Sequence, residues 1–176
     1  MAHVLVTGGV RSGKSRYAES LLADADVTYL TPGYPAVAVA DPEWAARVAA
    51  HQHRRPAGWR TVETIDVAGG LAAAPGPVLV DCLGTWLTRQ LDARSAWEAA
   101  EPDWSAALAA EAELLARAVA AHPWDVVIVT NEVGWGVVSE HRSGRLFADQ
   151  LGRLNQRVAA ACDRVVLMVA GRPLAL

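Results

Sequence analysis

The stretch TGGVRSGKS, residues 7 to 15, holds Gly8, Gly13, Lys14 and Ser15 in the spacing G-x-x-x-x-G-K-S. Each residue type suits phosphate chemistry: glycines let backbone N–H groups curl around phosphate oxygens, the lysine reaches the β and γ phosphates, and the serine hydroxyl ligates Mg²⁺. Gly8, Gly9, Val10, Arg11, Ser12, Gly13, Lys14 and Ser15 are therefore candidate nucleotide-binding residues, and Lys14 is the only lysine in the chain. His3 to Thr7 reads as a short buried strand and SRYAESLLADA as a helix with Tyr17, Leu21 and Leu22 on one side, which is the context such a loop needs. The alternative is a glycine-rich turn that happens to include a lysine. Strand, loop and helix in this order favour a nucleoside triphosphate as ligand.

A second stretch, RVAAHQHRRPAGW, residues 47 to 59, puts two histidines among three arginines. Asp41 before Pro42 reads as an N-cap and first helical position, and Pro56 forbids continuation, so a helix from about Pro42 to Arg54 is expected. Trp44, Val48 and His51 then share one face, with Arg47 and Arg55 four residues either side of His51, while His53 turns roughly 200° away. Cationic neighbours disfavour imidazolium and keep a ring nucleophilic near pH 7, and the same guanidiniums can grip phosphate oxygens. That would suit attack on phosphorus. A solvated basic helix end, favoured by the helix dipole, explains the same residues taken alone.

These groups need a frame. Val27 to Thr31, Pro77 to Asp81, Asp125 to Thr130 and Arg164 to Val169 are apolar β-rich runs set between helical stretches, among them Trp97 to Ala121 and Glu140 to Cys162. Near-continuous apolar strands are those covered on both faces, so the expected fold is α/β: a P-loop NTPase (RecA-like), mostly parallel sheet with helices on both faces, one domain over 1–176. Gly69 to Pro77 reads as a helix-to-strand connection. Ligands of such sheets collect at the carboxyl ends of strands. Asp81 closes one run, either as an acidic partner holding Mg²⁺ opposite Ser15 or as the N-cap of the helix CLGTWLTRQL. Thr130, Asn131 and Glu132 close another, ahead of VGWG, either as pocket lining or as a tight turn.

Composition narrows the function classes. The 176 residues are 52% hydrophobic, enough for one domain with a sizeable core. A net charge of −3 and a pI of about 5.9 give no general attraction to nucleic acid. Two cysteines, Cys82 and Cys162, make no disulfide framework or zinc pattern, and the sequence shows no leader or membrane-length apolar run, so a cytoplasmic location is expected. His3, His122 and His141 stand isolated and are expected to be structural or solvated.

In one order the chain carries TGGVRSGKS, then Arg47, His51, Arg55 and Pro56 as R-x-x-x-H-x-x-x-R-P, then Trp59, Thr61, Val62 and Glu63 as W-x-T-V-E, VDCLGTWLT from Val80 to Thr88, VTNEVGWGVVSE from Val129 to Glu140, and R-x-F-x-D-x-x-G-x-x-N-Q from Arg145 to Gln156. This resembles the bifunctional adenosylcobinamide kinase/adenosylcobinamide-phosphate guanylyltransferase family of cobalamin assembly, over nearly the whole chain. The resemblance implies two reactions. A hydroxyl of adenosylcobinamide attacks the γ-phosphate of ATP or GTP, helped by Lys14, Ser15 and Mg²⁺, the metal held by Ser15 and Asp81. His51 then attacks the α-phosphate of GTP, expels pyrophosphate and carries GMP covalently until the cobinamide phosphate collects it. By the same resemblance Thr31, Pro32, Gly33, Gln52, His53, Arg54, Arg55, Glu63 and Asp81 contact the guanine nucleotide, the partner is a corrinoid small molecule, and the assembly is a homotrimer with sites between subunits. A carboxylate such as Glu63 can accept paired N–H bonds from a guanine edge, although it could equally cap a turn. The segment Thr31-Pro32-Gly33-Tyr34-Pro35 departs from the small and hydroxyl residues of the family, and the histidine pair is split by Gln52. His51 is chosen for its spacing to Arg55 and Pro56. One exposed tryptophan of the seven is a candidate for stacking on the corrinoid.

Overall fold

The computed structural model describes residues 1–35 and 41–176, with the side chains of Trp44, Arg47 and Arg54 outside that description. In chain order the elements are β1 His3–Gly8, α1 Lys14–Ser20, β2 Thr28–Thr31, α2 Pro42–Arg54, β3 Arg60–Glu63, α3 Val67–Ala73, β4 Val78–Asp81, α4 Leu83–Asp92, a 3-10 turn Glu101–Asp103, α5 Ser105–Ala121, β5 Val126–Val129, α6 Arg142–Ala159, β6 Arg164–Val169 and β7 Arg172–Ala175. The seven strands form one sheet in the order β3-β2-β4-β5-β1-β6-β7. All pairings are parallel except β6 with β7.

Strand alternation sorts the core into two layers. Leu5, Leu30, Val78, Val80, Val126 and Ile128 face α3, α4, α5 and α6, whereas Val4, Val6, Tyr29, Leu79, Val127 and Val129 face the layer containing Ala18 and Leu22 from α1 and the following turn. Every one of these strand residues is buried, as period-2 geometry demands of a sheet covered on both sides. Burial of each large aliphatic side chain contributes roughly 1.5–3 kcal/mol.

The expected mostly parallel α/β sheet is therefore present, with several local corrections. Gly69 to Ala73 belong to α3 rather than to a connection, because the Asp66 carboxylate caps that helix by accepting from Gly69 N at 2.8 Å. The helix expected from Trp97 starts only at Ser105, since the chain passes through the 3-10 turn containing Pro102. The helix following the phosphate loop stops at Ser20, and turns carry Leu22 into the core. Strands β3 and β7 are additions at the two edges, where short, exposed sequences give little periodic signal.

Two strands flank β5: β1, which runs into the glycine-rich loop, and β4, which ends at Asp81. Because the strands are parallel, their carboxyl ends open onto one crevice.

Candidate active site

A cavity of about 1090 Å³ occupies that crevice, lined by the glycine-rich loop, the ends of β2, β3 and β4, and the inner face of α2.

The loop gains its shape from glycines in conformations other residues avoid. Gly8 has φ 148° and Gly13 φ 96°. A Cβ on Gly8 would lie 2.5 Å from the Met168 carbonyl oxygen of the neighbouring strand. Lys14 is buried, and its Nζ donates to the Gly9 carbonyl at 2.7 Å, spanning the loop; Gly171 N donates to Ser12 O at 2.9 Å and ties the loop to the β6–β7 turn. Ser12 Oγ is buried at the cavity with no hydrogen-bond partner among the described residues. A nearby hydroxyl donor and a ring of backbone N–H groups suit an anion.

Asp81 does not cap α4. That position falls to Cys82, whose backbone N donates to Thr85 Oγ1 at 3.4 Å, leaving the Asp81 side chain for the cavity. Its Oδ2 accepts from the Tyr29 hydroxyl at 2.7 Å and lies 3.3 Å from His51 Nδ1, and Ser15 lines the same cavity. Burial pushes the Asp81 carboxyl up, but the bond and charge of His51, followed by the bonds from Tyr29 and Ser15, outweigh it and hold the group below the usual carboxylate range. An ionised carboxylate only accepts, so the nitrogen facing it carries a ring proton, and in the neutral tautomer that leaves the lone pair on Nε2. The expected setting of His51 among guanidiniums thus gains an anion that the local sequence does not show.

Arg55 follows α2 and turns inward. Its guanidinium carbon sits 3.7 Å from the centroid of the Tyr29 ring, Nη1 donates to Thr61 Oγ1 at 2.9 Å, and Nε is buried without a partner among the described residues. Trp59 supports Tyr29 from the side, ring centroids 6.0 Å apart. Burial first, then the Asp81 charge, drives the Tyr29 hydroxyl far above its ordinary range, so it stays a donor.

Of the candidate residues, Val10, Arg11, Ser12, Gly13, Lys14, Ser15, Thr31, Gly33, His51, Gln52, Arg55, Glu63 and Asp81 line the one cavity, whereas Gly8, Gly9 and Pro32 are not among its lining residues. His53 is exposed and lies off the cavity, as two residues of helix rotation from His51 require. The side chains of Arg47 and Arg54 lie outside the described residues. Asn131 reaches the cavity, while Thr130 donates to Asn155 Oδ1 at 2.6 Å and Asn155 Nδ2 donates to Asn131 O at 3.0 Å, which accounts for the asparagine in the α6 motif. His3 and His122 are structural, their Nε2 atoms meeting backbone carbonyls.

Sequence reading passed over Tyr29 and Arg89. Tyr29 could have been found by its place in a buried strand, two residues before Thr31 and hence on the same face. Arg89 of α4 donates to the carbonyls of Pro32 and Gly33 at 3.2 and 3.3 Å and holds the departing segment after β2. Only tertiary contact reveals that role.

Ser15 and Asp81 are hard oxygen donors lining the same cavity, which fits Mg²⁺ held jointly with phosphate oxygens; among the described residues no group of three or more His, Cys, Asp or Glu forms a protein-only cage.

The family model for cobinamide kinase / cobinamide phosphate guanyltransferase matches residues 4–176. The chain belongs to that family. Relatives named bifunctional adenosylcobalamin biosynthesis protein include CobU of Salmonella typhimurium, 43% identical over 96% of this chain and 96% of its own, and CobP of Pseudomonas aeruginosa, 40% identical over 98% and 95%. In fold, the chain is similar to a prototypical ATPase from a bacterial type III secretion system, with TM-score 0.58 and 11% identity over 94% of this chain and 51% of that one. A P-loop NTPase fold therefore underlies this cobinamide kinase/guanylyltransferase family member. Among the described residues no helix is long and apolar enough to cross a membrane.

Proposed function

We propose that this chain phosphorylates adenosylcobinamide with ATP or GTP and then transfers GMP from GTP onto that phosphate, giving adenosyl-GDP-cobinamide in cobalamin assembly. Family membership supports both activities, and one observation supports a single site for them: Asp81, 3.3 Å from His51 of α2, lines the same cavity as Ser15 of the phosphate loop.

In the kinase step the loop N–H groups, Lys14 and Ser12 hold the triphosphate while the substrate hydroxyl forms a new bond to the γ-phosphorus; the bond to the bridging oxygen breaks, the nucleoside diphosphate leaves with that electron pair, and the hydroxyl proton is released. Mg²⁺, bound by Ser15 and Asp81, would neutralise charge developing on the phosphate oxygens. Lys14, freed from the Gly9 carbonyl, supplies the remaining positive charge.

In the transfer step His51 Nε2 donates its lone pair to the α-phosphorus of GTP, the bond to the β-bridging oxygen breaks and pyrophosphate leaves. The ring, still protonated on Nδ1 and now bonded to phosphorus, is cationic, and the Asp81 carboxylate 3.3 Å away stabilises it. A phosphate oxygen of the cobinamide phosphate then displaces the imidazole, and His51 returns neutral. Arg55 and Gln52 offer donors to the α-phosphate, and Glu63, at the cavity rim, can accept two N–H bonds from guanine.

The reading extends to a cytoplasmic homotrimer with sites between subunits, tested by mass in solution. Labelled GTP with Mg²⁺ is the decisive experiment: GMP should appear on His51, move to added cobinamide phosphate, and be absent in His51→Ala, which keeps cobinamide phosphorylation. Labelling that persists in this variant would refute the nucleophile. A kinase without guanylyl transfer predicts no adduct at all.

A further inference from the structure

We infer that Tyr29 is a positioning residue of the guanylyl-transfer step, fixing through its hydroxyl the carboxylate that orients His51 and through its ring the guanidinium of Arg55. This rests on the reading of His51 as nucleophile.

Tyr29 is fully buried at the middle of β2, a place where an aliphatic residue would pack as well and carry no unsatisfied polar atom. Its hydroxyl spends its single proton on Asp81 Oδ2 at 2.7 Å. That same oxygen is the one 3.3 Å from His51 Nδ1, so the carboxylate cannot rotate to follow the imidazole without losing the phenol. The tyrosine therefore fixes the direction from which the ring is held, and with it the line along which Nε2 meets an α-phosphorus. The ring does separate work: the Arg55 guanidinium rests 3.7 Å above it, with one N–H taken by Thr61 and Nε without a partner among the described residues, leaving donors in the cavity. Strand register makes this possible, because Tyr29 pairs directly with Thr61 across β2 and β3, and Arg55 contacts both the Thr61 hydroxyl and the Tyr29 ring. The hydroxyl and the ring thus act on different parts of the reaction, the first on the attacking nitrogen and the second on the phosphate being attacked.

Two substitutions separate these parts. Tyr29→Phe keeps the ring, its contact with Trp59 and its seat for Arg55, and removes only the phenol. Single-turnover formation of the GMP adduct should slow about tenfold, the effect of losing a hydrogen bond to a charged group, with the concentration of GTP giving half-maximal rate unchanged. Tyr29→Leu should slow the step similarly and also raise that GTP concentration about fivefold, because Arg55 loses its aromatic support. A merely structural role moves both constants together, in proportion to the folded fraction measured by thermal melting. Wild-type adduct kinetics in folded Tyr29→Phe, or equal change in both constants, overturns the inference; if Tyr29→Leu does not fold, Tyr29→Phe alone decides. His51→Ala run beside them distinguishes the two failures: persistent labelling there removes the nucleophile reading, whereas lost labelling there with normal Tyr29→Phe kinetics removes only the role of Tyr29.

Discussion

The phosphate loop and the His51 centre face one cavity but are built in opposite ways. The loop is contiguous: Gly8, Gly13 and Lys14 lie within seven positions of each other in TGGVRSGKS, and its central contact runs from Lys14 to Gly9. The His51 centre takes Tyr29 from β2, His51 from α2, Arg55 from just beyond it, Thr61 from β3 and Asp81 from β4. Backbone geometry decides the first region and strand register the second. A loop of N–H groups binds an anion wherever it folds, but an imidazole becomes a directed nucleophile only when a separate segment holds its other nitrogen.

If the two regions act separately, His51→Ala removes GMP labelling altogether while cobinamide phosphorylation continues, and Lys14→Ala lowers phosphorylation about a thousandfold, the upper range for one preorganised donor. Retained phosphorylation in Lys14→Ala, measured with labelled γ-phosphate, would show that the loop is not the kinase site. Asp81 joins the regions, so Asp81→Asn should lower both reactions about a hundredfold. Loss of one activity alone would mean that the shared carboxylate serves only that half. Because its folded pKa is depressed, the stability Asp81 contributes is complete above the ordinary carboxylate value of about 4 and fades as pH falls through the folded value. Urea midpoints of Asp81→Asn should therefore depend less on pH in that acid range than those of the parent.

Gly8→Ala tests the local character of the loop. With its Cβ 2.5 Å from a backbone oxygen and φ at 148°, the variant should lose about 2–3 kcal/mol and melt several degrees lower; an unchanged melting temperature would show that the loop tolerates a different path. Thr61→Val removes one partner of Arg55 at nearly constant volume and should raise the GTP requirement for labelling about threefold, leaving phosphorylation alone. The smallest effect belongs to His53→Ala, within about twofold of the parent in both reactions, since an exposed residue off the cavity changes little. A large loss there would place that histidine on the nucleotide after all.

Much of the frame is legible in the residues. Helix α2 runs from Pro42 to Arg54 as Asp41-Pro42 and Pro56 require, and β6 spans Arg164 to Val169 as its apolar run indicates. Legibility fails at the edges, where β3 has three polar residues of four and β7 is fully exposed, and at Asp81, whose residue type suits an N-cap as well as a site carboxylate. The choice between those roles depends on Cys82 occupying the cap, which no count along the chain reveals.

By itself, the sequence determines the phosphate loop, which needs only neighbouring glycines and a lysine, and it sets His51 on a helix stopped ahead of Pro56, while the proposal of His51 as nucleophile rests on the family resemblance. Tertiary structure alone decides that Asp81 faces His51, that Tyr29 holds Asp81, and that Arg55 lies over Tyr29. Those contacts join residues as far as 52 positions apart, and they depend on which strands lie side by side and in which register.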